Sequence, residues 1–204
     1  MREPSNINDL ANLRPDYMGF IFYPASKRFV EALDLETLAH LPSSIKKTGV
    51  FVNSSLAEVE AKAEEFKLDA LQLHGQESPE FCSVLKNKGF EVIKAFGVDP
   101  DFQFTVLDSY TKAVDYFLFD TKTVAHGGSG ETFNWSLLTK YQLNVPYFLS
   151  GGLSAENVLE VITLDDDRLY AVDLNSRFEV RPGLKNIELL GSVIDKLKQA
   201  HLSE

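Results

Sequence analysis

Tyr116-Phe117-Leu118-Phe119-Asp120 is the stretch that decides the fold. Four large apolar residues with no polar break read as a strand buried on both faces, and an acid closes it. Outward from it the same design recurs. Asp16–Phe22, Thr48–Asn53, Ala70–His74, Val92–Val98, Tyr147–Gly151 and Tyr170–Asn175 are short β-branched and aromatic runs that end in polar or glycine residues. A helical stretch follows each run, and one more, Pro4–Leu13, precedes the first. Strands alternating with helices are the pattern of a parallel α/β fold. Seven strands against eight helices predict a TIM (β/α)8 barrel with the first β-strand missing from this chain.

The helices carry their own signals. Ser5 or Asn6 can cap the first, with Ile7, Leu10 and Leu13 at helical spacing. Ser55 precedes Leu56, Val59, Ala63 and Phe66. Ser78-Pro79 opens a helix that Gly89 stops. Asp101–Ala113 is a weaker helix, Phe133–Tyr141 a short one, and Ser154–Thr163 and Asn186–His201 are the last two. No linker divides the chain, so residues 1–204 are expected to form one domain. Gly127-Gly128-Ser129-Gly130 follows a strand and reads as a mobile active-site loop.

A formal net charge of −10 argues against nucleic acid, which demands clustered Lys and Arg. Any site for an anion must then be locally positive, from a few basic side chains or oriented backbone N–H groups. No apolar run approaches a membrane span, and no signal peptide is visible. One cysteine, Cys82, has no internal disulfide partner, which fits a reducing cytoplasm. It falls inside the Ser78 helix and reads as a small apolar residue. The four His are scattered and no Cys/His cluster exists, so no metal site is expected, and no full Gly-x-Gly-x-x-Gly or P-loop motif appears.

In such barrels chemistry sits at the C-terminal ends of the strands. Asp120 is there, placed to hold a raised pKa and donate a proton, or to cap its loop. Gly151-Gly152 opens the turn to Ser154, where backbone N–H groups could meet a phosphate at a helix N-terminus. Asp173-Leu174-Asn175-Ser176 ends the last strand. Each of these alone fits an ordinary turn; together they occupy the usual phosphate loops of a barrel. His74 ends its strand as a structural group or a site residue. Arg28 follows the first strand as a solvated side chain or a bidentate carboxylate clamp.

The chain resembles phosphoribosylanthranilate isomerase of tryptophan biosynthesis, almost end to end. The resemblance rests on Asp16–Phe22, Ser26-Lys27-Arg28-Phe29-Val30, Leu71-Gln72-Leu73-His74-Gly75, Phe119-Asp120-Thr121, Gly127–Gly130 with Phe133-Asn134-Trp135, and Ser150-Gly151-Gly152-Leu153. It implies an aldose–ketose isomerase that needs no cofactor and takes a small phosphosugar, phosphoribosylanthranilate. Asp120 would be the general acid, Arg28 and His74 would bind substrate, and Gly151, Gly152, Asp173, Asn175 and Ser176 would bind phosphate. In the family the general base is a Cys that ends the first strand in Cys-Gly-Met-Arg. Here Met1-Arg2 match the last two residues of that motif, and the strand and its Cys are absent. Glu131, Asn134, Arg177 and Asn186 are smaller departures.

Three expectations follow. Met1 is read as an internal methionine of a longer gene product. The 204 residues alone should turn over substrate poorly, roughly 10²–10⁴-fold down for loss of a general base. The barrel should show a gap, a filler segment, or pairing between chains through exposed strand edges, as a monomer or a homodimer. The same residues also fit a non-catalytic phosphate-binding barrel. Another phosphosugar enzyme, such as indole-glycerol-phosphate synthase or a sugar-phosphate epimerase, would need Lys or metal ligands at strand ends.

Overall fold

Helix capping and strand composition lay down the elements one after another. In the computed structural model, which describes residues 1–122 and 133–201, α1 spans Pro4–Asn12 and β1 Tyr17–Ile21. They are followed by α2 (Leu35–Ala39), β2 (Lys46–Phe51), α3 (Leu56–Phe66), β3 (Ala70–Leu73), α4 (Pro79–Asn87) and β4 (Glu91–Val98). Then come β5 (Tyr116–Thr121), β6 (Tyr147–Leu149), β7 (Leu169–Val172), a hairpin of β8 (Glu179–Arg181) with β9 (Leu184–Lys185), and α5 (Ile187–His201). Ser55 closes a capping box with Glu58, and Ser78 accepts from the Phe81 amide. The first helix departs from expectation. Its N-cap is Glu3 and it has no side-chain cap, because Asn6 is committed to Lys185.

Three of the expected helices are 3₁₀ segments: Phe104–Tyr110, Trp135–Lys140 and Val158–Leu164. Their sequences, FTVLDSY, WSLLTK and VLEVITL, are rich in β-branched, Ser and Asp residues, which favour α-helix little. The expected Ser154–Thr163 helix accordingly starts at Val158, so no helix N-terminus adjoins Gly151-Gly152. The last strand starts at Leu169 and stops at Val172 rather than running to Asn175.

Seven strands form one parallel sheet in the order β1-β2-β3-β4-β5-β6-β7. The β4–β5 ladder runs from Ile93↔Tyr116 to Val98↔Thr121. Between β6 and β7 the register shifts, with Tyr147 opposite Leu169 and Phe148 opposite Ala171, so Tyr170 bulges. The sheet does not close. Among the described residues no strand lies between β7 and β1, as the strand count predicts. The side chain of Met1 is buried at that edge, and its nitrogen lies 3.5 Å from Gly19 O. The open side is spanned by side chains: Arg2 Nη2 donates to Pro182 O at 2.7 Å, and Asn6 exchanges hydrogen bonds of 2.9 and 2.8 Å with the backbone of Lys185.

Two apolar clusters tell the faces of the sheet apart. The larger unites strand residues such as Leu71, Phe117 and Phe119 with helix residues such as Val59, Cys82 and Val193. The smaller holds strand residues only: Ala70, Ile93, Ala95, Leu118 and Phe148, with Tyr17, Tyr116 and Ala171 against them. That second set lines the concave face. Among the described residues no helix is long and apolar enough to cross a membrane.

Candidate active site

Side chains of a strand alternate between faces. Two residues beyond Leu118, Phe148 and Ala171 on the concave face come Asp120, Ser150 and Asp173. His74 likewise lies two beyond Gln72 and four beyond Ala70. The alternation therefore puts these four on one rim, at the C-terminal ends of β3, β5, β6 and β7. Their contacts agree. His74 Nε2 is 3.3 Å from Asp120 Oδ2, and Ser150 Oγ donates to Asp173 Oδ2 at 3.2 Å.

The His74–Asp120 pair is oriented from both sides. Gln72 Nε2 lies 3.0 Å from His74 Nδ1. An amide nitrogen only donates, so Nδ1 accepts, and the neutral ring carries its proton on Nε2, facing Asp120. The other oxygen of Asp120, Oδ1, accepts from the Thr121 amide at 2.8 Å. Gly151 makes room for this arrangement. It sits at φ +86, and a Cβ there would fall within 3 Å of Thr121 N and Asp120 Oδ1. Gly152 also has positive φ, +67.

Beneath His74 a buried charge pair sets the loops. Lys94 Nζ donates to Leu73 O (3.1 Å), Gly75 O (2.8 Å) and Ala95 O (2.9 Å) and lies 3.3 Å from Glu77. Glu77 in turn accepts from the Asn53 and Gly75 amides at 2.8 and 2.9 Å. The carbonyls on either side of His74 are thus held by one ammonium. Burial pushes the Lys94 pKa down, against the pull of Glu77.

A second cluster lies under the last loop. Lys185 Nζ donates to Asn175 Oδ1 (2.8 Å) and to the carbonyls of Leu174 and Asn175 (3.2 Å each). It stands 3.6 Å from Glu179, which takes Arg28 through Nε at 2.8 Å and Nη2 at 2.7 Å. Arg28 does clamp a carboxylate in bidentate fashion, and that carboxylate belongs to the chain itself. Burial lowers the Lys185 pKa, opposed by Glu179 and Asp173. Asp173 keeps some surface open to the rim, yet its neighbours enclose it enough that desolvation raises its pKa, with Lys185 opposing and the charge of Asp120 adding.

Cys82 lies apart from the rim. It is fully buried in α4, and desolvation pushes its thiol up to about 12, so it is no base at neutral pH. The loop Gly127–Gly130 and Glu131 fall outside the described residues. Among those described, no three His, Cys, Asp or Glu side chains group as a metal site. Lys185, Glu179 and Lys94 were not singled out in the sequence. The signal for Lys94 was a lysine inside the apolar run Val92-Ile93-Lys94-Ala95; that for Glu179 and Lys185 was a charged segment too long for a simple strand-to-helix turn.

Known proteins resemble the chain over nearly its whole length. The family model described as N-(5'phosphoribosyl)anthranilate (PRA) isomerase matches residues 1–196. The N-(5'-phosphoribosyl)anthranilate isomerase of Parabacteroides distasonis is 45% identical, covering 97% of this chain and 90% of its own. The crystal structure of phosphoribosyl anthranilate isomerase from Thermotoga maritima superposes with a TM-score of 0.83 at 33% identity, over 98% of this chain and 96% of that one. A further isomerase structure holds reduced 1-(o-carboxyphenylamino)-1-deoxyribulose 5-phosphate; its TM-score is 0.79 at 30% identity, over 97% and 94% of the two chains. The chain belongs to the N-(5'-phosphoribosyl)anthranilate isomerase family.

Proposed function

We propose that the rim isomerises N-(5'-phosphoribosyl)anthranilate to the carboxyphenylamino-deoxyribulose phosphate, an aldose-to-ketose Amadori rearrangement in tryptophan biosynthesis. The observation that carries this reading is the pair His74–Asp120, 3.3 Å apart on the rim that also bears Asp173 and the turn at Gly151. Asp120 delivers a proton to the ribose ring oxygen, the C1–O bond breaks, and a Schiff base forms between C1 and the anthranilate nitrogen. Loss of the C2 proton then gives an enolamine, which tautomerises to the ketone. His74, donating from Nε2, keeps the Asp120 carboxyl aimed, and water at the open rim supplies the proton that returns it to the acid form.

The phosphate is held by backbone N–H groups of the turns at Gly151-Gly152 and Asp173–Ser176, assisted by Asn175 and Ser176. Turns, and not a helix N-terminus, do this work. Arg28, anchored by Glu179, borders the anthranilate end. The resemblance assigns the base to a Cys, and Cys82, buried in α4, does not fill that role. We place the protein in the cytoplasm, where this pathway's intermediates are made. Self-association through the open edges of β1 and β7 is the assembly these residues favour.

The test follows the fluorescence of phosphoribosylanthranilate and, separately, titrates the protein with reduced 1-(o-carboxyphenylamino)-1-deoxyribulose 5-phosphate. Tight binding of that analogue relative to inorganic phosphate is expected. Binding of the analogue no better than free phosphate would refute the assignment.

A further inference from the structure

The hydrogen bonds of Lys185 say more about the last loop than that it is held. All peptide bonds described are trans, so the C=O of one residue and the N–H of the next point in opposite directions. Lys185 Nζ draws in the carbonyls of both Leu174 and Asn175. The N–H groups of Asn175 and Ser176, which belong to those same two peptide planes, are therefore turned to the opposite face of the loop. Among the described residues neither meets an acceptor. Two consecutive N–H groups on one face make a cradle for an anionic oxygen.

The ammonium that does the turning is itself fixed. The Lys185 backbone is bonded both ways to Asn6, and Glu179 adjoins its Nζ while holding Arg28 and the Gly183 amide. Lys185 is 9% exposed and Glu179 buried deeper still, so the cluster is set before any ligand arrives.

Resting on the isomerase reading, we infer that Lys185 is a positioning residue: it orients the Asn175 and Ser176 amides toward the substrate phosphate, and through Glu179 ties that loop to Arg28. One buried cluster thereby sets both ends of the substrate site. Lys185 acts through the peptide planes it binds, not by touching the phosphate.

The test measures affinity for inorganic phosphate and for the reduced product analogue by calorimetric titration, with folding monitored by near-ultraviolet circular dichroism. Lys185→Met should weaken phosphate binding about tenfold or more, the scale of hydrogen bonds to a charged group. An amide-to-ester replacement of the Asn175–Ser176 peptide bond removes one of the two N–H groups without proline's constraint on Asn175, which stands at φ −125, ψ −95, and keeps the Lys185 side chain; a comparable loss is expected. The double variant should bind scarcely worse than either single one, because both act through the same groups. Full additivity, or a folded Lys185→Met that binds phosphate like wild type, overturns the inference. If Lys185→Met fails to fold, Lys185→Arg takes its place. A guanidinium cannot set one nitrogen on three oxygens, so a loss of at least about threefold is expected, and none would overturn the proposal. Wild type that binds phosphate but not the analogue sinks the isomerase reading and leaves the loop inference standing; wild type that binds neither sinks both.

Discussion

Replacing Gly151 by Ala should destabilise the protein and disturb Asp120 together, and two other glycines separate the causes. At Gly151 a side chain meets two obstacles: φ is +86, and the added carbon falls within 3 Å of Thr121 N and Asp120 Oδ1. Gly89 has φ +92 with nothing within 4 Å, so it carries the backbone cost alone, about 1–2 kcal/mol. Gly75 has no positive φ, and a Cβ there would collide with Asn53 N and Oδ1; it carries the packing cost alone, about 1–3 kcal/mol. Gly151→Ala should then cost about 2–5 kcal/mol, near the sum of the two. A whole domain holds only about 5–15 kcal/mol. Urea unfolding reads each difference as a shift in midpoint at constant slope. The site should suffer too, since displacement of a reacting group by about 1 Å costs about 10²-fold in rate. If Gly151→Ala is no less stable than Gly89→Ala and keeps full affinity for the product analogue, the close approach of β5 and β6 is not what demands glycine here.

Three further outcomes are expected. Asp120→Asn should lower turnover by roughly 10²–10⁴ while the product analogue still binds within about tenfold, separating proton delivery from binding; steady-state fluorescence and titration check it. Lys94→Met should cost about 3–5 kcal/mol in urea, because Glu77 is left buried without its partner, and adding Glu77→Gln should return part of that loss. Cys82, with its thiol pushed up to about 12 from 9.0, keeps its proton in the folded state after the unfolded chain has lost its own. Its contribution is whole well below pH 9 and declines through and above it, by about 1.0 kcal/mol between pH 9 and 10. The stability of Cys82→Ala should therefore fall less steeply than wild type across that interval, and parallel curves would refute the shift.

Much of the rim was legible because strand alternation is a local property. A strand ending Leu118-Phe119-Asp120 puts its acid on the face of Leu118 whatever the rest of the chain does, and the same holds for Asp173 beyond Ala171. The alternation could not show which acid is enclosed: Asp173 is, by residues brought from β6 and the hairpin. Arg28 was rightly placed after β1, but its partner Glu179 lies 151 residues away, and no local pattern links them. The helices were legible in position rather than in kind. Val158–Leu164 has the apolar spacing of a helix, while its β-branched residues and lack of a cap leave it 3₁₀.

The order of the strands has a consequence for how the chain assembles. Every pair in the sheet joins segments adjacent in sequence, about 20–30 residues apart, so each ladder closes a short loop and can form as soon as its two strands exist. The seam between the first and last elements is different. The Asn6–Lys185 bonds join residues 179 apart, and closing so long a loop costs about 1.7 kcal/mol more entropy than closing one of about 25. The least costly order of assembly builds the sheet rung by rung and ties the seam at the end. Lys185, whose ammonium shapes the last loop, belongs to that seam. The site is therefore complete only when the whole chain has come together, and a partly assembled sheet would carry Asp120 and His74 without the loop that Lys185 orders.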